Sequence, residues 1–288
     1  MVRFPLLAAL LLLALFTGGC ISWAPGWELP PPPPSGGDAS LLYAQGQELF
    51  ARADTRAKLE QAAQLFETAA AAEPTHTMAL TRACEAKCLL GAAYAESRTA
   101  KRTAYRAAIA LCERAMATNP DFAARVAKGE TVGQAAAVLG QREMGAMHFW
   151  VTAVSYRFKE TLSPLAYPFN LRWIERERAV LQRMDEIDPS WGSGAVRFSL
   201  AIFDLALPSR FGGDLNRART VLDQLVADYP ERMLPRWGRA KYLYTKTKER
   251  EAQRRDLEWV TAREPSPDPN EYAWEVYFRA DARRLLAR

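Results

Sequence analysis

The stretch Glu60 to Pro74, EQAAQLFETAAAAEP, decides the fold, because four later stretches repeat its frame. They are Tyr105 to Pro120 (YRAAIALCERAMATNP), Ile174 to Pro189 (IERERAVLQRMDEIDP), Asp214 to Pro230 (DLNRARTVLDQLVADYP) and Arg250 to Pro265 (REAQRRDLEWVTAREP). Eight residues before each proline stand Phe66, Cys112, Leu181, Leu222 and Leu257; five before it stand Ala69, Ala115, Met184, Leu225 and Val260. Every one is apolar. A spacing of three puts both positions on one helical face. The proline then ends the helix, since the residue before it is pushed out of the α region.

Outward from these segments, the chain after Ser40 is rich in Ala, Leu, Arg, Glu and Gln and lacks runs of alternating β-branched residues, so the class is all-α. The frame resembles the second helix of the tetratricopeptide repeat, whose unit is a helix pair of about 34 residues closing on a proline. Here Pro74, Pro120, Pro189, Pro230 and Pro265 lie 46, 69, 41 and 35 residues apart, so the repeats are degenerate and carry insertions. We expect an α-solenoid of such pairs over residues 40–288, each sheltering its stripe on the next, with a concave face for binding. A generic helical bundle with alanine-rich seams is the alternative.

Composition narrows the chemistry. The 288 residues are 49% hydrophobic and 25% charged, and the formal charge of +5 comes from interleaved signs, which argues against a nucleic-acid footprint. Only His76 and His148 are available as histidines, too few and too distant for a zinc site or an imidazole proton shuttle. No G-x-S-x-G, Walker A, H-E-x-x-H or EF-hand pattern occurs. We therefore expect no enzyme, metal or cofactor. His148 reads as a satisfied interior histidine, and Gly192-Ser193-Gly194 as a small-residue turn after Pro189.

The amino terminus is an address. Arg3, the apolar run Leu6 to Phe16 and Thr17-Gly18-Gly19 before Cys20 form a signal peptide over 1–19. The small residues ending in Cys20 resemble a bacterial lipobox, which implies acylation there and a membrane attachment. Ile21 in place of Asp favours the outer membrane, facing the periplasm. From 20 to 39, Pro30 to Pro34 and Ser35-Gly36-Gly37 predict a semi-rigid tether whose function is reach. Of the remaining thiols, Cys84 and Cys88 share a helix predicted over Thr75 to Ala95 and Cys112 lies on the next. Buried free thiols are the preferred state, with a disulfide from Cys112 to one of the pair as the alternative.

A more specific likeness runs through Leu139-Gly140, Met147-His148-Phe149-Trp150, Tyr156, Asp188-Pro189, Phe198 to Phe203, Leu207-Pro208, Phe211-Gly212-Gly213-Asp214, Arg217-Ala218 and Tyr277 to Leu286. Together these resemble the T component of tripartite ATP-independent periplasmic (TRAP) transporters. The resemblance implies a periplasmic lipoprotein with cryptic tetratricopeptide-like pairs that associates with the transporter's solute-binding protein, and it makes self-association an expectation. An envelope-assembly lipoprotein is the alternative function. Beside the resemblance, Gly212 and Gly213 read as a turn and Asp214 as the cap of the helix that follows. Most aromatics must be core, but Phe149, Trp150, Tyr156, Trp173, Trp274 and Tyr277 are candidates for lining a ligand groove or a protein interface.

Overall fold

The computed structural model describes residues 23–30, 33 and 36–288. The predicted signal peptide and Cys20 lie outside the described residues. Among the described residues the chain is all-helical, with no strand. We label the helices α1 (Ala39–Phe50), α2 (Arg56–Ala72), α3 (Thr77–Tyr94), α4 (Arg98–Ala117), α5 (Pro120–Ala127), α6 (Met144–Thr161), α7 (Leu171–Ile187), α8 (Trp191–Ala206), α9 (Leu215–Asp228), α10 (Met233–Gly238), α11 (Arg250–Ala262) and α12 (Tyr272–Leu286). Past Gly238, α10 widens into a π-helical turn over Arg239–Tyr244.

Local chemistry sets the helix ends. Asp38, Thr55, Ser97, Asn119 and Asp214 each accept backbone N–H bonds at the start of a helix, satisfying donors that would otherwise be orphaned. At the other ends, α2, α4, α7, α9 and α11 all stop within three residues of the prolines that define the frame. All ten frame residues are buried, none more than 2% exposed. The spacing of three has delivered them to the core, as one helical face must.

Consecutive helices pack against each other: α1 on α2, α2 on α3, α3 on α4, α8 on α9 and α11 on α12, while α4 and α3 both meet α6. The last helix returns to the third, where the Trp274 indole Nε1 donates to Glu85 Oε1 at 3.0 Å. On its α4 side α3 presents Thr77, Cys84 and Gly91 at spacings of seven: Thr77 Oγ1 lies 2.7 Å from Thr118 Oγ1, and a Cβ on Gly91 would lie 2.5 Å from the Tyr105 ring. Such side chains allow the backbones to come close, and here the sequence expectation is corrected. Cys84 and Cys112 form a disulfide with Cα atoms 5.4 Å apart, while Cys88 alone is a free, buried thiol. Spacing along the chain offered two partners for Cys112 and no distance to either; the close packing of α3 on α4 supplies the distance.

Residues 23–29 also differ from the reading of a free tether over 20–39. The short turn Gly26–Glu28 packs on α4, with Trp23 and Trp27 seated against the core. Aromatic residues at 23 and 27 bracket a glycine, and that combination holds the segment down.

Buried carboxylates punctuate the core. Glu177 on α7, 1% exposed, accepts from the Ser155 hydroxyl of α6, and burial pushes its carboxyl up to about 8. Glu177 is therefore protonated in the folded protein at neutral pH while its counterpart in the unfolded chain is ionised.

Under denaturing, non-reducing conditions, one thiol among Cys84, Cys88 and Cys112 should titrate, and three after reduction. Cys112→Ala should lower unfolding stability by about 3–4 kcal/mol, the chain-entropy value for a loop of 28 residues. For Glu177, a folded-state pKa above the unfolded one means the native state binds the extra proton, so its contribution falls as pH rises from about 4.5 through about 8. Denaturant titrations should then find Glu177→Gln gaining on wild type across that window, by on the order of 3–4 kcal/mol at its upper end.

Candidate functional site

A cavity of about 720 Å³ opens where α3, α6, α8, the π-helical turn and α12 converge. Helix α6 supplies its longest wall. His148, Phe149, Thr152, Ser155, Tyr156 and Lys159 all line it, and steps of three and four along a helix place these positions on a single face. Opposite them, α8 contributes Phe198, Ile202 and Phe203, and α12 contributes Trp274 and Phe278. Phe149 and Trp274 lie parallel across the wall, with ring centroids 6.1 Å apart and planes 7° from parallel. Trp237 stacks on Phe278 at 4.5 Å.

The start of α8 makes an unusual corner of the cavity. Gly192, Ser193 and Gly194 occupy left-handed conformations in succession, with φ of 58°, 54° and 83°. Two of the three positions are glycine, which adopts positive φ without steric cost; Ser193 does so against its preference. Its hydroxyl oxygen accepts from Arg232 Nη2 at 2.9 Å, and Arg232 is itself paired with Glu271. The corner turns Trp191 toward His148, ring centroids 5.0 Å apart.

Polar groups in the wall differ in state. Arg82 is engaged by Glu85 at 2.6 Å, and Arg142 donates to Thr77 Oγ1 at 2.7 Å. His148 Nδ1 is buried without a hydrogen-bond partner among the described residues, and burial pulls the imidazole down to about 4. It is a neutral ring at pH 7, not the satisfied interior histidine of the sequence reading. Lys159 is different again. Its Nζ lies 4.2 Å from the centre of the Tyr242 ring and has no carboxylate partner among the described residues. The side chain is accessible from the cavity, yet the protein around it, with Lys241 close by, lowers its pKa to about 8. A largely protonated amine thus faces the cavity.

The six aromatic candidates separate into two groups. Phe149, Tyr156 and Trp274 line the cavity. Trp150 and Trp173 do not: at 0% and 1% exposed they are core, Trp150 donating its indole N–H to Glu113 at 3.0 Å. Tyr277, 4% exposed, packs beside Trp237 and stands outside this wall. The Gly212-Gly213-Asp214 turn is structural: Gly212 has φ of 85°, and a Cβ on Gly213 would lie 1.9 Å from the Leu207 carbonyl oxygen. Asp214 Oδ1 then accepts from Asn216 N and Arg217 N at 2.9 and 3.0 Å. Cys20 lies outside the described residues.

Sequence reasoning passed over Trp191, Ser193, Lys159 and Tyr242. The α6 face was visible in principle, since 148, 149, 152, 155, 156 and 159 form one stripe in which Lys159 is the single strong charge. Tyr242 carried no such signal, because it enters the cavity from a π-helical turn whose register no α-helical period predicts. Among the described residues, no group of three or more His, Cys, Asp or Glu could hold a metal ion, and no helix is long and apolar enough to cross a membrane.

A family description, the TRAP transporter T-component, matches residues 59–288. That span runs from the first frame helix to the last residue and contains the whole cavity wall. No curated protein matches the chain. With four-fifths of its length matched, the chain belongs to the TRAP transporter T-component family, a family of transport accessory proteins.

Proposed function

We propose that this T component is a non-catalytic periplasmic lipoprotein, anchored at the outer membrane through Cys20, that docks the solute-binding protein of a TRAP transporter. Its degenerate tetratricopeptide-like pairs form the scaffold, and its cavity holds the organic solute during hand-over. The observation that carries this reading is the cavity itself: large enough for a drug-sized ligand, walled by Phe149, Phe198, Trp274 and Phe278, and supplied with one accessible amine at Lys159. Aromatic walls favour an apolar body, and the amine favours an anionic end, so the solute class is a carboxylate with a hydrophobic portion. Nothing in the wall requires bond-making chemistry; a neutral His148 without a hydrogen-bond partner suits a dry pocket.

Binding of 11-(dansylamino)undecanoic acid, followed by its fluorescence, tests the cavity. Wild type should bind saturably, Trp274→Ala should weaken binding roughly 10- to 100-fold through lost aromatic area, and Lys159→Met should weaken the acid about 10-fold while sparing the corresponding primary amide. Equal loss of acid and amide on Lys159→Met would remove the amine from the argument. Co-purification of the binding protein from native envelope extracts tests the docking; consistent absence of that protein would leave the scaffold reading without a partner.

A further inference from the structure

The amino-terminal strap occupies a built slot. Glu113 on α4, 0% exposed, is the centre of it: Oε1 accepts from the indole N–H of Trp23 at 2.8 Å and from that of Trp150 at 3.0 Å, and Oε2 accepts from the backbone N–H of Gly26 at 2.6 Å. A Cβ at residue 26 would lie 2.1 Å from the Ala110 carbonyl oxygen, so the strap can approach α4 only because that residue is glycine. On either side the rings lock edge to face, Trp23 on Trp173 at 5.9 Å and Trp27 on Phe122 at 5.9 Å. The Arg176 guanidinium covers the outside, 5.4 Å from Trp23 and 4.9 Å from Trp173. The contacts of Trp23, Gly26 and Trp27 all reach residues far along the chain, and the strap lies outside the 59–288 family match.

The surroundings are cationic. Arg102 and Arg106 lie within electrostatic range of Arg157, Arg172 within range of Arg176, and both Arg157 and Arg176 feel Glu113. Arg102, Arg106 and Arg172 are exposed and form no ion pair among the described residues. Cys20 precedes Trp23 by three residues, which cannot span more than about 10 Å.

We propose that the strap clamps the protein to an anionic phospholipid surface, so that the face bearing Trp23, Arg102, Arg106 and Arg172 lies against the headgroups and the chain does not hang on a stalk. The proposal rests on acylation of Cys20. Given that acyl chain in the bilayer, a strap docked from residue 23 leaves no slack, and the arginines around the slot meet the phosphates. A released strap would instead free the whole of 20–39 as tether.

The experiment uses the mature full-length lipoprotein on supported bilayers of phosphatidylcholine with phosphatidylglycerol, read by neutron reflectometry. Wild type should sit against the headgroups with a water gap no wider than about 10 Å. Trp23→Ala with Trp27→Ala, confirmed folded by circular dichroism, should open a gap of roughly 20–40 Å as the tether is released. Arg102→Glu, Arg106→Glu and Arg172→Glu together should lift this face from the anionic bilayer only within the roughly 10 Å that the docked strap allows, and leave the gap unchanged on phosphatidylcholine alone. A wild-type gap already as wide as that of the tryptophan variant overturns the clamp. Loss of wild type from the bilayer on washing overturns the anchor and the orientation with it. Amide exchange at Gly26 separates the two failures, being slow if the strap is docked and fast if it is not.

Discussion

A helix with an apolar stripe must hide it against another helix, and in the first half of this chain the stripe is mostly alanine. Small side chains fix how far apart the backbones stand. Thr77, Cys84 and Gly91 line the side of α3 that meets α4, and the closeness they allow is what places Cys84 within bonding reach of Cys112. Alanine cannot fill a wide gap, however. Where more helices meet, from α6 onward, the chain changes to Trp, Phe and Tyr, and even these leave a space of about 720 Å³. Close seams on one side and an unfilled centre on the other are two results of one constraint, that interiors pack densely wherever side-chain volume permits.

The parts legible in the sequence were those governed by helical period. Phe66 and Ala69, or Leu222 and Leu225, could be placed in the core from their distance to a proline because that proline ends a helix wherever the helix lies. Asp214 could be placed as a cap because capping needs only its own two following N–H groups. The aromatic candidates were less tractable. Phe149 and Trp150 are neighbours in sequence and 100° apart on the helix, so one faces the cavity and the other Glu113; composition treats them alike. Lys159 gains its setting from Tyr242, whose ring lies 4.2 Å from its Nζ, and that placement depends on a π-helical turn.

Buried charge follows one rule throughout. Glu113, Glu85 and Glu177 lie in the interior, and burial raises the pKa of each. Glu113 and Glu85 receive indole N–H donors that partly offset this, and Glu85 adds the Arg82 guanidinium. Glu177 has Ser155 as its side-chain partner and carries the higher value of about 8, against about 7 for Glu113. The number and charge of the donors account for that order, since each bond to the ionised form favours it. Glu113 and Glu85 also fasten distant parts of the chain, Glu113 holding the amino-terminal strap and Glu85 holding α12 against α3.

These fastenings share a wall. Helix α6 offers Trp150 to Glu113 and the strap, and on its adjacent face offers Phe149, which stacks on Trp274, the residue that reaches Glu85. Phe149 and Trp150 are joined by a peptide bond within a continuous helix, so neither moves without the other unless α6 deforms. Coupling between the cavity wall and the strap's slot would run through this single rigid element. Coupling of this kind needs a physical element with contacts at both sites, and α6 is that element. The strap lies outside the residues matched by the family, while the cavity lies within them. The strap thus packs on the back of a cavity wall that lies within the matched residues.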